Sequence, residues 1–270
     1  GCTAGVCNAA PVCAAPKAMV DGQCIAAPSC SANPSLCAGL LAYWPFDVSR
    51  SSTATLAVDI IKGNNGTVPN SVKQIISGGI REDSYNFSNS VDENQIMVNL
   101  AGGNILNNLG GTVIPSYSIA GWFKIKNGLG GPIIAKDNSC GGYPFLLSVT
   151  NNKLQFIIFD GVTSGPGVVT TVSQDVADGS WHHFVAIRNY TSTDKKLYLF
   201  IDGLLVSSAV DTTNGGQVSN IDYISIGSSG SGGNCPGGEN YKGSKFNGIA
   251  DEIGIWNRTL SATEVSQIYN

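Results

Sequence analysis

Residues 178–189 read DGSWHHFVAIRN, and their pattern decides the fold. From Trp181 onward, Trp181, His183, Val185 and Ile187 fall on one side of an extended chain, and His182, Phe184 and Ala186 on the other. Successive side chains of a strand point to opposite faces. Both faces of this strand are therefore largely apolar, as expected for a central strand with cover on each side, in a closed sandwich rather than a one-sided sheet.

The same texture continues outward in both directions. LLAYWPF, YNF, QIMVNL, YSIAGWFKI, PIIAK, PFLLSV, KLQFIIF, VVTTV, KLYLFI, LLVSSAV, YISIG and IADEIGIW are strand-length runs rich in Val, Ile, Tyr, Phe and Trp. Asn151-Asn152 and Asp202-Gly203 separate pairs of such runs, as two-residue hairpin turns require. Many short strands with frequent turns predict an all-β fold, a two-sheet antiparallel jelly-roll sandwich. One helix is predicted, at the C-terminal end. Ser261 and Glu264 have the spacing of a capping box, and Val265, Ile268 and Tyr269 share a face. In the strand before it, Ile249, Ile253 and Ile255 are expected on one face with Asp251, whose buried carboxylate would need a partner, most simply a cation.

Composition narrows the classes. Of 270 residues 42% are hydrophobic, enough for a sizeable core, but only 13% are charged, while Gly numbers 34. The net charge is −4 and the basic residues are scattered, so nucleic acid is excluded as a partner. No apolar run is long enough for a transmembrane helix.

The cysteines divide the chain. Cys2, Cys7, Cys13, Cys24, Cys30 and Cys37 crowd residues 1–39, a segment rich in Ala and Pro with almost no large apolar side chains. So short a segment needs covalent staples. It holds no C-x-x-C, and His182 and His183 are far off, so disulfides are expected rather than zinc. Residues 1–39 are thus predicted as a disulfide-stapled stalk or mini-domain containing a small hairpin turned at Asp21-Gly22, with pairing left open, and residues 40–270 as the jelly roll. Cys140 and Cys235, the two left over, are expected to pair. Disulfides imply an oxidising compartment, hence a secreted or cell-surface location, and the opening Gly-Cys reads as a processed or trimmed form. Sequons stand at Asn65, Asn86, Asn189 and Asn257.

Taken in order, LAYWPFD (41–47), DIIKGNNGT (59–67), YNFSNSVD (85–92), YSIAGWFK (117–124), PIIAK (132–136), DGSWHHFVAIRN (178–189), LYLFIDGLLV (197–206), ISIG (224–227) and FNGIADEIGIWNRTLSATEV (246–265) resemble the concanavalin A-like lectin/glucanase superfamily, and most closely its laminin-G-like and pentraxin-like branch. The resemblance implies two antiparallel sheets of six or seven strands, one of them concave, with loops at the rims. It also implies a structural Ca²⁺ near the sandwich edge, held by Asp59, Asn64, Asp251 and Asp47. Hard oxygen ligands suit that ion. Here the turn reads IIKGNNG, with Lys62 bringing a cation close, and the alternative is an Asp59 carboxylate bonded to backbone amides.

Glucanases of this superfamily carry E-x-D-x-E on a strand, and no such motif occurs here. Asp251-Glu252 and Asp92-Glu93 are adjacent pairs expected to point to opposite faces. No catalytic residues are therefore assigned, and the chain is expected not to be an enzyme. Trp44, Trp122, Trp181 and Trp256 fall within strand segments and are expected in the core. Ligand contacts are expected instead from two irregular loops, 136–144 and 228–243, through Asp137, Asn138, Tyr143, Asn240 and Tyr241. The function expected is that of an extracellular adhesion module binding a glycan or glycoprotein. The competing reading is a structural subunit of a surface filament or appendage, self-associating through residues 1–39.

Overall fold

A computed structural model describes residues 34–87, 96–98, 116–137, 145–158, 168–191, 193–213, 223–229 and 244–270, and the backbone of four short strands within the first 26. These four form two pairs, β1 (Cys2–Thr3) with β2 (Val6–Cys7) and β3 (Lys17–Val20) with β4 (Gln23–Ala26). Val20 lies opposite Gln23, while Asp21-Gly22, the turn expected between them, lies outside the described residues. Cys37, at the end of the one-turn helix α1 (Pro34–Cys37), is disulfide-bonded. The side chains of Cys2, Cys7, Cys13, Cys24 and Cys30 lie outside the described residues.

The remaining strands form a jelly-roll sandwich of two antiparallel sheets. The first runs β15 (Val168–Thr171), β14 (Lys153–Ile158), β13 (Phe145–Thr150), β12 (Gly131–Asp137), β19 (Tyr223–Ile226), β10 (Ile96–Val98), β7 (Gly66–Thr67), β6 (Leu56–Ala57). The second runs β18 (Leu204–Val210), β17 (Lys195–Ile201), β16 (Trp181–Tyr190), β11 (Tyr117–Lys124), β20 (Ile249–Trp256), β9 (Ser84–Asn86), β8 (Lys73–Ile75), with β5 (Leu40–Trp44) also on β20. Among the described residues each sheet has eight strands rather than six or seven, because residues 56–75 contribute the short pieces β6, β7 and β8.

Strand β16 behaves as its pattern requires. Phe184 and Ala186 enter the core between the sheets, with Trp44, Phe123, Phe156, Leu199 and Ile253. Val185 and Ile187 face the other way, into a second apolar layer with Leu36, Tyr43, Trp256, Leu260, Val265 and Ile268. That layer is roofed by α1 and by α2 (Ala262–Tyr269), so the cover on the second face comes from helices. The capping box of α2 is present, with Ser261 and Glu264 each closing on the other's backbone N–H. Both hairpin turns adopt positive φ at their two central residues, 51° and 62° at Asn151 and Asn152, 50° and 79° at Asp202 and Gly203, the mirror-image turn that matches strand twist.

Helix α1 is tied to the sandwich although the sequence boundary falls at residue 39. The Trp256 indole N–H donates to Leu36 O at 2.6 Å, and Arg258 donates to Ser35 O and Ala38 O, each at 2.6 Å. Arg258 also reaches α2 through Glu264, its Nη2 2.7 Å from Oε1. Trp44, Trp122 and Trp256 are buried as expected, and Trp181 is half-buried.

Candidate functional site

The expected calcium ligands divide into two groups. Asp59 opens the loop between β6 and β7, and its carboxylate is saturated by N–H donors. Oδ1 accepts from Tyr43 N at 2.9 Å and Ile61 N at 3.0 Å. Oδ2 accepts from Lys62 N at 3.2 Å, Asn64 N at 2.9 Å and Asn64 Nδ2 at 2.8 Å. The Asn64 carbonyl in turn accepts the Trp44 indole N–H at 2.9 Å. Asp59 and Asn64 thus organise a turn, each meeting the other's hydrogen-bonding need.

Asp47 and Asp251 belong to a separate buried group built by an irregularity in β20. The register of β11 against β20 shifts between Ala120 and Trp122, and Glu252 takes φ 54°. Such a bulge lets two consecutive side chains aim the same way. Asp251 accepts from Ile80 N at 2.8 Å, while Arg81 of the same segment has Nη1 3.3 Å from Glu252 Oε2. The adjacent carboxylates therefore converge on residues 80–81, against the expectation that they point apart. Nor does Asp251 share a face with Ile253 and Ile255: these line the inter-sheet core with Ala250, and Asp251 lies on the other side with Ile249.

The rest of the group is closely bonded. Asp47 Oδ1 accepts from Asp83 N at 3.1 Å; Asp83 accepts from Val48 N and Ser77 N, each at 2.8 Å. Asp251 Oδ1 accepts from Glu252 N at 2.9 Å, and the Tyr43 hydroxyl donates to Glu252. Burial raises the acids: Asp47 to about 6, Glu252 to about 8, Asp251 well above the usual carboxylate range. Burial also lowers Arg81 to about 10, which leaves it charged at neutral pH.

A calcium ion takes six to eight oxygens at roughly 2.3–2.6 Å. Among the described residues no three Asp, Glu, His or Cys side chains are placed to share an ion. Asp59 is filled by donors, Asp251 has an N–H on each oxygen, and a guanidinium stands beside Asp251 and Glu252. The expected four-residue set does not fit the ion.

The two histidines differ. His182 lies between Asp202 (Nδ1 to Oδ2, 2.9 Å) and Asp178 (Nε2 to Oδ1, 3.2 Å), and the hydrogen bond to Asp202 is the main reason its pKa is raised. His183 is fully buried against Trp122 and Tyr269, with ring centroids 5.0 and 5.8 Å away, and burial holds it neutral, down to about 3. Packing accounts for the second.

Of the expected ligand rim, the Asp137 backbone closes β12 opposite Tyr223. The Asp137 side chain, Asn138, Tyr143, Asn240 and Tyr241 lie outside the described residues, as do Cys140 and Cys235. The anchors of the two loops are informative. β12 and β19 are antiparallel, so residues 138–144 leave at the Asp137 end, whereas residues 230–243 leave beside Gly131, where Gly227 N bonds Ile133 O and Ser229 N bonds Ser244 O. The anchors sit at opposite ends of β12, an outcome of strand order that the sequence did not disclose. By the same register, the connections 99–115, 138–144, 159–167 and 214–222 all depart from the end of the first sheet marked by Val98, Asp137, Ile158 and Tyr223. Of the sequon residues, Asn65 and Asn257 are exposed and Asn86 and Asn189 are half-buried.

Sequence reasoning missed Arg81, Asp83 and the Arg188–Asp211 pair. Arg188 carried a signal: a charged residue in an otherwise apolar central strand demands a buried partner.

The chain belongs to the concanavalin A-like lectin/glucanases superfamily, whose laminin-G family model matches residues 92–266. No curated protein matches it in sequence. Among solved structures it resembles the binding domain of botulinum neurotoxin serotype C1, with a TM-score of 0.58 and 14% identity over 86% of this chain and 52% of that one. The binding domain of botulinum neurotoxin DC, solved in complex with SialylT, gives 0.57 and 15% over 86% and 51%. The Trypanosoma rangeli sialidase, solved with the inhibitor DANA, gives 0.56 and 12% over 96% and 35%. The chain therefore spans about half the length of the first of these, or less, and at such identities the likeness is one of fold.

Proposed function

We propose that the chain is an extracellular, non-catalytic module that binds carbohydrate or glycoconjugate at the rim where β12 ends. The observation that carries this reading is that Val98, Asp137, Ile158 and Tyr223, the anchors of the connections 99–115, 138–144, 159–167 and 214–222, all lie at one end of the first sheet. Long loops on a rigid sandwich are where such folds place their contacts. The neurotoxin binding domain solved with SialylT offers a precedent on the same fold. A non-catalytic role is supported by the state of the adjacent acids of β20: Asp251 and Glu252 are buried and engaged with backbone, Tyr43 and Arg81.

The test is a glycan array probed with the intact chain, including sialylated and neutral oligosaccharides. Saturable binding is expected, weakened by Tyr143→Ala and unaffected by Leu204→Ser on the far sheet. An array without hits overturns the reading. Release of sugar from β-glucans or sialosides overturns the non-catalytic part alone.

The edge strand β18 favours a second reading, that of a filament subunit. Among the described residues no strand pairs with its outer side, and it exposes Leu204 by 70%, Leu205 by 53% and Val210 by 63%. Unprotected apolar edges invite strand addition. Sedimentation velocity separates the readings: a concentration-dependent polymer abolished by Leu204→Lys supports the filament, a monomer the binding module.

A further inference from the structure

We propose that Arg81 is the resident cation of the sandwich edge, its guanidinium standing in the group of Asp251 and Asp47, two of the four residues to which the family resemblance assigns a bound Ca²⁺. A calcium cage needs oxygens from the segment before β9. Residues 77–83 instead offer N–H groups: Ser77 N to Asp83, Ile80 N to Asp251, and Asp83 N to Asp47, at 2.8, 2.8 and 3.1 Å. The positive ends of two of these peptide units thus already face Asp251 and Asp47, acids that a metal would have to bridge.

The Arg81 side chain completes this arrangement. It is 6% exposed, its Nη1 lies 3.3 Å from Glu252 Oε2, and Asp251 and Asp47 are the acids that act on it most strongly. A guanidinium stays charged in this setting, is weakly hydrated for a cation, and is covalently held, so its burial beside these acids costs less desolvation than that of a free divalent ion. Across the group stand Asp47, Glu82, Asp83, Asp251 and Glu252, with half-buried Arg50 as the other cation near Asp47. Backbone closeness reinforces the point. Asp83 O and Asp251 Oδ2 lie 2.1 and 2.6 Å from where a side chain on Gly79 would begin, so the oxygens are drawn in around a glycine.

The experiment is thermal unfolding of the full chain in chelator and in millimolar CaCl2, with metal analysis of the purified protein. Wild type is expected to carry no stoichiometric calcium and to melt at the same temperature in both. Arg81→Ala leaves Glu252 without its facing cation and is expected to lower Tm by about 10 °C, again independently of calcium, whereas Arg81→Lys recovers part of that loss. One bound calcium per wild-type chain, or a wild-type Tm that falls in chelator and is restored by calcium, overturns the proposal. If Arg81→Ala does not fold, the wild-type measurements decide alone.

Discussion

Arg188 Nε lies 2.6 Å from Asp211 Oδ2, and neither side chain has any exposure to solvent. Thr213 completes the set: its hydroxyl accepts from Arg188 Nη2 at 2.8 Å, and its N–H donates to Asp211 at 3.0 Å. Removing one partner of a buried pair leaves a charge without compensation, at about 3–5 kcal/mol. Asp211→Ala is therefore expected to cost that much in urea unfolding. The double variant Arg188→Met with Asp211→Leu, which leaves no stranded charge, should recover most of it. A cost below about 1 kcal/mol for the single variant would show that the pair is not buried in solution.

The Arg258–Glu264 contact predicts acid sensitivity at the helix end. Hydrogen bonds from Arg258 are the main reason the Glu264 carboxyl falls to about 2 from an ordinary 4.5. A lowered acid stabilises the fold above its ordinary pKa and loses that contribution as pH falls toward the folded value. Melting followed by circular dichroism between about pH 5 and about pH 2 should show a decline from this source. Glu264→Gln should lower Tm at pH 5 and remove part of that slope.

Glu252 works in the opposite direction. Burial raises it from 4.5 to about 8, and Asp47 from 3.8 to about 6. A raised acid favours the folded state while protonated, so its contribution is complete below the ordinary value and is lost as pH rises through the folded one. Stability should therefore fall between roughly pH 5 and pH 8. Glu252→Gln, which keeps a neutral side chain of the same shape, should flatten the upper part of that decline. A Tm that climbs steadily over this range in the wild type would contradict the burial of both groups.

Gly79→Ala tests the packing of the segment before β9. The new methyl would meet Asp83 O at 2.1 Å and Asp251 Oδ2 at 2.6 Å, and a backbone oxygen cannot swing aside. A loss of about 1–3 kcal/mol is expected, as for an overpacked core position. Alanine at Gly63, where no atom lies within 4 Å, meets no such clash and is the control, although its φ of 72° adds a small backbone cost of its own.

What could be read from the sequence was what depends on near neighbours. The two-sided strand β16, the positive-φ turns at Asn151-Asn152 and Asp202-Gly203, and the Ser261–Glu264 capping box are each fixed within a few residues. The bulge at Glu252 was hidden, because a one-residue irregularity reverses every inference from alternation and leaves no mark in composition. Arg81 was hidden for a related reason: it sits in a connecting segment whose conformation is set by Asp47, Asp83 and Asp251, all supplied from elsewhere or by its own turn. The loops 138–144 and 230–243 were grouped as one rim on shared composition, but the strand order separates their anchors.

The clasp of α1 has a mechanical consequence. Tension arriving along the chain from the N-terminal side reaches Ser35, Leu36 and Ala38 first, and their carbonyls hand it to Trp256 and Arg258. Trp256 ends β20, which has partners on both sides. A pull on that end of the domain is thus delivered to an interior strand of the second sheet rather than to an edge, and the sandwich is loaded where peeling is hardest.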